Sequence, residues 1–216
     1  MNELLDRLSA LVGAGTRPAP AEISAVFAAA EQEPDSHPSF WHPLGFVHVR
    51  LYAEPGRSLR LHLWPRGRRV LQEPLWLIHD HIFTLRSVIL VGAVRNTVYE
   101  AIESEHARYR IYEVSYGGPD SSRNKLTATS ALVLPRSTLS EGHVAGAAYS
   151  IPPSVFHESV VSEDVCAATL VLTSDPLPLS PRVVGDASAP STISVERRRC
   201  STDELRRVLA EFRALL

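Results

Sequence analysis

The chain has 216 residues and a mass of 23.8 kDa, a length that suits one domain with modest terminal additions. Hydrophobic residues make up 44%, charged residues 21% and the formal net charge is -2, which argues against intrinsic disorder and against a polyanion-binding surface. Neither a membrane-spanning apolar run nor a secretory signal is found, and the two cysteines are too few for a disulfide framework. We therefore expect a cytoplasmic protein without membrane or nucleic-acid partners.

Helical patterns lie at both ends of the chain. The first 33 residues have the periodicity of two amphipathic helices, and a proline-punctuated connector follows at residues 34–45. Ser201 and Glu204 have the spacing of a capping box, which predicts a final helix from about Ser201 onward. Before it, residues 177–190 are expected to form a loop, and the basic run at 197–199 is interpreted as solvated charge.

From Gly45 the hydrophobic pattern changes to a period of two, which is typical of β-strands. The candidate strands are short, rich in β-branched or aromatic residues, and separated by turn residues. They cover residues 46–52, 58–64, 76–81, 85–91, 97–101, 109–115, 128–134, 147–151, 157–161 and 166–172. Together they predict an all-β fold, either an antiparallel sandwich or a small barrel.

Histidines carry the strongest chemical signal. His79 and His81 are two residues apart, so on a strand both imidazoles project to one face and can reach one cation, while Asp80 between them faces the other way. His157, after a turn with two prolines, offers a third ligand from a distant strand. Each histidine alone is more often a hydrogen-bonded sheet residue than a ligand, so the metal site depends on all three.

These residues resemble the two sequence motifs of the cupin superfamily. The matching positions are His79, His81 and Gly92 for the first motif, and Gly146, Pro152 and His157 for the second. Ser154 stands where the second motif usually has a glycine. The resemblance implies a cupin barrel (double-stranded β-helix or jelly roll) at residues 45–178. It would be flanked by an N-terminal helical segment at 1–44 and by a loop and C-terminal helix at 179–216.

Within that superfamily the chain resembles the cysteine dioxygenase-like branch, the thiol dioxygenases. Arg86 stands where other cupins have a glutamate ligand, which leaves the three-histidine site typical of this branch. The resemblance implies Fe(II) on His79, His81 and His157, with O2 and a small anionic molecule as substrates. Thiol dioxygenation to a sulfinate is the leading reaction. No sequence feature indicates an oligomeric state.

The same resemblance suggests substrate-binding residues on two early strands. In that branch an arginine binds the substrate carboxylate, and Arg50, next to His48, occupies the corresponding place. The positions that match His62 and Trp64 line the pocket, and we expect His62 to assist catalysis. Strand alternation alone leaves open whether His62 faces a pocket or a solvated side of the sheet.

Arg86 and Tyr149 each have more than one interpretation. Arg86 is either a clamp for a substrate carboxylate or a buried partner of an acidic neighbour, unless the strand register slips so that Leu85 points inward and Arg86 faces solvent. Tyr149 precedes the second motif and either donates a proton as a catalytic residue or packs as an ordinary core tyrosine.

Two further functions compete with thiol oxidation. The Ser-x-His-x-Tyr run of the thiol dioxygenases aligns with residues 169–173, which have Thr169 and Thr173 and neither the histidine nor the tyrosine. Oxidative tailoring of a non-thiol, amino-acid-derived metabolite is therefore an alternative, and so is metal or ligand binding without turnover. Zinc would accept the same three ligands and would favour hydrolysis.

Overall fold

A computed structural model of the chain describes residues 2–32, 36–117 and 122–215, so positions 34 and 35 of the predicted connector lie outside this part. The helices are α1 (Asn2–Gly13), α2 (Pro20–Gln32) and α3 (Thr202–Arg213). The strands are β1 (Ser39–Trp41), β2 (Val47–Glu54), β3 (Arg57–Trp64), β4 (Thr84–Val91), β5 (Ala93–Glu103), β6 (Tyr109–Gly117), β7 (Arg123–Val144), β8 (Ala148–Ile151), β9 (Phe156–Val160), β10 (Ala167–Ser174), β11 (Arg182–Asp186) and β12 (Thr192–Glu196). The predicted all-β fold with N-terminal and C-terminal helices is confirmed.

The strands form two antiparallel sheets. In the first sheet the order is β1-β2-β3-β10-β4-β8, and in the second it is β11-β6-β7-β5-β9, with β12 paired to β7. The predicted barrel is therefore observed as two separate sheets. No helix among the described residues is both long enough and apolar enough to cross a membrane.

The main core lies between the helices and the first sheet. Ile23 and Phe27 of α2 and Leu209 of α3 pack in one cluster with alternate residues of β2, β3, β4 and β10. In β3 these are Leu59, Leu61 and Leu63, whose side chains are 0–1% exposed. Because strand residues alternate in direction, the intervening side chains of β3 face the space between the two sheets. One face of this sheet supports the helices and leaves the other free to line a cavity.

Two sequence expectations differ from the structure in the C-terminal third of the chain. The segment expected to be a loop contains β11, and β12 follows it. Gly185 lies within β11, and a Cβ atom there would lie 2.4 Å from Cε3 of Trp76. The glycine is needed for this close packing and does not break the strand.

A third difference concerns strand length. Residues 128–134 belong to the 22-residue strand β7, which continues to Val144. The second half of β7 is mostly exposed and polar, so it lacks the alternating apolar residues that mark a strand with one buried face. Hydrogen bonding to β5 along its length holds this half in the sheet.

Gly92 connects the two sheets at a point where only glycine fits. Its φ is +72°, and a Cβ atom would lie 2.0 Å from the carbonyl oxygen of Cys166. Gly67 has a similar φ of +61°, but no atom lies within 4 Å of its would-be Cβ. An alanine at Gly67 would lower the free energy of unfolding through the left-handed backbone alone, whereas an alanine at Gly92 would lower it through both the left-handed backbone and the steric clash.

We predict that Gly92→Ala lowers the free energy of unfolding by more than about 2 kcal/mol, because a backbone clash adds to the left-handed strain. Gly67→Ala serves as the matched control and should cost about 1 kcal/mol, from backbone strain alone. Urea denaturation of both variants measures the difference. Equal losses of stability would contradict the role assigned to the close contact at Gly92.

Candidate metal centre

The short extended segment at residues 78–80 carries the first two histidines. On one side, the backbone N–H of His79 donates to the carbonyl of His157 at 3.0 Å, and the N–H of His157 donates back at 2.8 Å. On the other side, the N–H of Asp80 donates to the carbonyl of Arg182, and the N–H of Val184 to that of Ile78, both at 2.9 Å. The segment therefore lies between β9 and β11, the two edge strands of the second sheet.

The strand predicted at residues 76–81 is not formed, and the shorter extended segment at residues 78–80 lies in its place. The segment forms only isolated bridges at His79, yet its backbone is bonded on both sides and is extended. Residues two apart in such a backbone project to the same side, so the physical reason given for pairing His79 with His81 still applies. The direct pairing of His79 with His157 brings the third imidazole from β9 to the same place.

The turn before His157 shows why the second motif usually has a glycine at the position of Ser154. Ser154 has a φ of +63°, in the left-handed region that favours glycine, and glycine is the usual residue there in the resembling family. The N–H of Ser154 donates to the carbonyl of His81 at 2.8 Å. The turn is therefore fastened to the segment that carries the other two histidines.

The imidazoles of His79, His81 and His157 converge. Their ring centroids lie 5.0 Å apart for His79 and His81, 4.5 Å for His79 and His157, and 4.7 Å for His81 and His157. One nitrogen from each ring lies within 4.8 Å of the other two. Three imidazole nitrogens at this separation can bind a single divalent cation such as Fe(II) or Zn(II).

In two of the three rings, a hydrogen bond at Nδ1 leaves Nε2 as the nitrogen that can bind a metal. Nδ1 of His79 lies 2.8 Å from the carbonyl oxygen of Leu77, and Nδ1 of His157 lies 2.9 Å from that of Val155. Because a carbonyl oxygen only accepts, Nδ1 carries the proton in both rings and the lone pair is on Nε2. Nδ1 of His81 is buried and has no hydrogen-bond partner in the described part of the chain.

All three imidazoles are electrically neutral at physiological pH. Burial lowers the pKa of His157 to about 3, with a further contribution from His79. Burial also lowers the pKa of His79 and, together with the neighbouring His79 and His157, places the pKa of His81 well below its ordinary value. Neutral imidazoles keep their lone pairs for a metal, so the donor set fits a divalent cation.

The carboxylates next in sequence to the three histidines, those of Asp80 and Glu158, are bonded elsewhere. Asp80 accepts a hydrogen bond from the backbone N–H of Arg182 at 2.6 Å and from its Nε at 2.7 Å, and its side chain is 2% exposed. Glu158 accepts a hydrogen bond from the hydroxyl of Tyr99 at 2.7 Å. Among the described residues, the cluster of possible metal ligands consists of the three histidines alone.

The histidines open into a cavity of about 240 Å³ between the two sheets. Five of the residues proposed from the sequence line it, and these are His48, Arg50, His62, Trp64 and Tyr149. Burial lowers the pKa of His62 to about 3, so this ring is neutral, and burial raises the pKa of Tyr149, so its hydroxyl stays protonated. The nitrogens of His48 have no hydrogen-bond partner among the described side chains.

Arg86 does not line this cavity. Leu85, its neighbour on β4, does, and Nη1 of Arg86 donates to Oγ of Ser174 at 3.1 Å. Adjacent strand residues point to opposite faces, so Arg86 lies on the face that carries Val88 and Leu90 against the helices. The expectation that Arg86 clamps the substrate is therefore wrong, and the alternative register with Leu85 inward is the one observed.

Several polar or aromatic cavity residues were not predicted from the sequence, among them His42, Arg60, Tyr116 and Arg197. Arg60 had a detectable signal, because it shares the even-numbered face of β3 with His62 and Trp64. Arg197 had none, since it begins the basic run that was interpreted as solvated charge.

A second, smaller cavity of about 110 Å³ adjoins the first on the other side of the histidines. Both cavities are bordered by His79 and His81 and by Arg197. The second is lined mainly by apolar side chains, among them Trp76 and Val183. The second cavity is therefore the less polar of the two spaces that border His79 and His81.

Comparisons with known proteins gave structural matches only. No model of a protein family matches the sequence, and no curated protein matches it. Hydroquinone 1,2-dioxygenase PnpCD, solved with Cd²⁺ and 4-hydroxybenzonitrile, is 13% identical with a TM-score of 0.35; the match covers 60% of this chain and 64% of that one. Hydroxypropylphosphonic acid epoxidase from S. wedmorenis is 12% identical with a TM-score of 0.37, covering 66% and 56%. Fe(II)-HppE with the alternative substrate (S)-1-HPP is also 12% identical, with a TM-score of 0.37. That match covers 66% of this chain and 57% of the other.

We predict that His157→Ala abolishes tight Fe(II) binding, because two imidazoles remain where three converge. His106→Ala, which removes an exposed histidine, is the matched control and should keep the metal. Each variant is loaded with Fe(II) without oxygen, desalted and analysed for metal per chain, and circular dichroism checks the fold. Undiminished iron in the His157 variant would remove this residue from the ligand set.

Proposed function

We propose that this protein is a mononuclear non-haem iron enzyme that uses O2 to oxidise a small anionic substrate. The observation that carries the proposal is the convergence of three neutral imidazoles, with no carboxylate of the described residues among them, in a cavity that arginines also line. Fe(II) held by His79, His81 and His157 would supply the redox chemistry and leave about three coordination positions for other donors. A site without a protein carboxylate keeps the full charge of the cation and favours anionic donors from the substrate.

The cavity residues bind and orient such a substrate. Arg50 offers a guanidinium group for a substrate carboxylate, to which it can donate two parallel hydrogen bonds. His62, which is neutral, can donate or accept a hydrogen bond without adding charge to the cavity. Tyr149 retains its proton and can donate it to an oxygen atom of the reacting group.

Thiol dioxygenation to a sulfinate is the leading reaction within this proposal. It follows from the three-histidine ligand set and from the position of Arg50 on β2, both of which resemble the thiol dioxygenases. A thiolate and a carboxylate on one small molecule would satisfy the cation and Arg50 together.

A non-thiol metabolite is the second candidate, and the observation that favours it is the environment of Thr169. This residue pairs with His62 across β10 and β3, and its hydroxyl is buried without a hydrogen-bond partner in the described part of the chain. Two residues further along β10, Val171 stands where the thiol dioxygenases have the histidine, and Thr173 stands where they have the tyrosine. Oxidation of an amino-acid-derived compound without a thiol would not require them.

Oxygen consumption by the iron-loaded protein tests the proposal. We expect uptake of O2 with at least one compound from a panel of small thiols and amino acids, and formation of a sulfinate, detected by mass spectrometry, if the thiol reaction is correct. Arg50→Leu should raise KM for a carboxylate-bearing substrate by about tenfold, the value of a charge-assisted hydrogen bond. Arg86→Leu, outside the cavity, is the matched control and should leave KM unchanged.

Uptake with non-thiols only would favour the second candidate. Iron bound at one equivalent with no uptake for any compound would contradict an oxygenase and favour a metal-binding or ligand-binding protein without turnover.

A further inference from the structure

Three arginines line the main cavity, and among the residues that the structure describes no aspartate or glutamate lines it. They are Arg50, Arg60 and Arg197. Elsewhere in the described residues arginines pair with carboxylates, as in Arg182 with Asp80, Arg213 with Glu31 and Arg136 with Glu100. None of the three cavity arginines forms such an ion pair in the described part of the chain. The cavity therefore concentrates positive charge that the carboxylates of the described residues do not neutralise.

Two of these arginines lie together and form one positively charged part of the cavity lining, which we call the first pole. Arg50 on β2 and Arg60 on β3 are directly opposite each other in the pairing of these strands. Nε of Arg60 donates to Oγ of Ser58 at 2.7 Å, and its guanidinium carbon lies 5.0 Å from the ring centroid of Phe83. The contacts fix the plane of Arg60 and leave its terminal nitrogens to a ligand. Like charges directly opposite on neighbouring strands repel, so the pair favours an anion between them.

Arg197 forms a second pole, where the chain passes from β12 of the second sheet towards β1 of the first, whose Trp41 donates its backbone N–H to the carbonyl of Arg198. It follows β12, and its guanidinium carbon lies 5.3 Å from the ring centroid of Tyr116 on β6. With the side-chain amide of Asn124 turned so that its oxygen faces Arg197, Nε of Arg197 donates to that oxygen at 3.2 Å. Arg197 lies at the border of both cavities, whereas Arg50 and Arg60 line the main cavity only.

The charges of the two poles act on each other. Burial lowers the pKa of Arg60 to about 10, and repulsion by Arg197 and by Arg50 contributes further. A divalent cation on three neutral imidazoles would add two more positive charges to the same space. A substrate with one carboxylate and one metal-binding donor would leave one guanidinium pole without an anion.

We infer that the cavity selects a small substrate with two separate oxyanion groups, one bound by Arg50 and Arg60 and the other by Arg197. The groups are carboxylates or phosphonates, because both match the planar fork of a guanidinium. A volume of about 240 Å³ restricts the molecule to a few carbon atoms between the two groups. The inference deepens and rests on the proposed function, since the same cavity would receive the substrate of the metal centre.

Titration calorimetry with substrate-sized anions tests this inference. The probes are butyrate with one carboxylate, succinate and glutarate with two, and 3-phosphonopropionate with one carboxylate and one phosphonate. We expect the best two-anion probe to bind at least tenfold more tightly than butyrate. Tightest binding of the phosphonate probe would assign a phosphonate to one pole, and tightest binding of a dicarboxylate would assign two carboxylates.

Substitution of single arginines tests which residue binds the second anionic group of the probe. Arg197→Gln should weaken the best two-anion probe by at least tenfold and change butyrate binding by less than twofold. Arg86→Gln, outside the cavity, is the matched control and should change neither. Equal affinities for butyrate and the two-anion probes, or an Arg197 variant that binds them all like the unaltered protein, would overturn the inference.

The test separates this inference from the proposed function. The titrations are repeated on metal-free His157→Ala, in which the oxygenase cannot operate but both arginine poles remain. A preference for two anions there supports the inference whether or not the iron protein consumes O2. Oxygen consumption by the iron protein without that preference would overturn the inference and leave the proposed function in place.

Discussion

The candidate site depends on the backbone hydrogen bonds that hold residues 78–80 between β9 and β11. His79 exchanges two bonds with His157 on one side, while Ile78 and Asp80 bond β11 on the other. These bonds bring the two edges of the second sheet to one point and place a histidine from each of two distant segments there. Asp80 then binds Arg182 of β11, so the residue between two ligands secures the segment and does not compete for the cation. Backbone pairing, which is insensitive to side-chain identity, thus sets the geometry that the imidazoles need.

The second requirement is a sheet with two different faces. Alternate residues of β2, β3 and β4 either pack beneath the helices or enter the cavity, so one set of strands supplies both stability and the site. The helical layer buries the leucines of β3, and the intervening positions are free to be Arg60, His62 and Trp64. The residue types at these inward-facing positions therefore determine how polar the cavity is. The neutral histidines can donate lone pairs to a cation, and the arginines, which form no ion pair with a described carboxylate, can bind an anion.

Sequence reasoning succeeded where the deciding interaction is local. The two-residue spacing of His79 and His81 fixes their common direction, and the capping box of Ser201 and Glu204 begins α3 as predicted. It failed where the deciding interaction lies far away in the chain. Arg86 depends on the register of β4, and Gly185 lies within β11, where it packs closely against the distant Trp76. The position of Arg197 requires knowing that β12 pairs with β7, a contact that no short window of sequence contains.

The central claim is that three imidazoles and no carboxylate bind one cation. X-ray absorption spectroscopy at the iron edge of the Fe(II)-loaded protein, followed by a crystal structure of the same sample, tests it most directly. The account predicts a single iron bonded to one nitrogen each of His79, His81 and His157, with the remaining positions filled by water or added ligand. An oxygen of Asp80 or Glu158 bonded to the iron, or a ring of His157 turned away from it, would contradict the account.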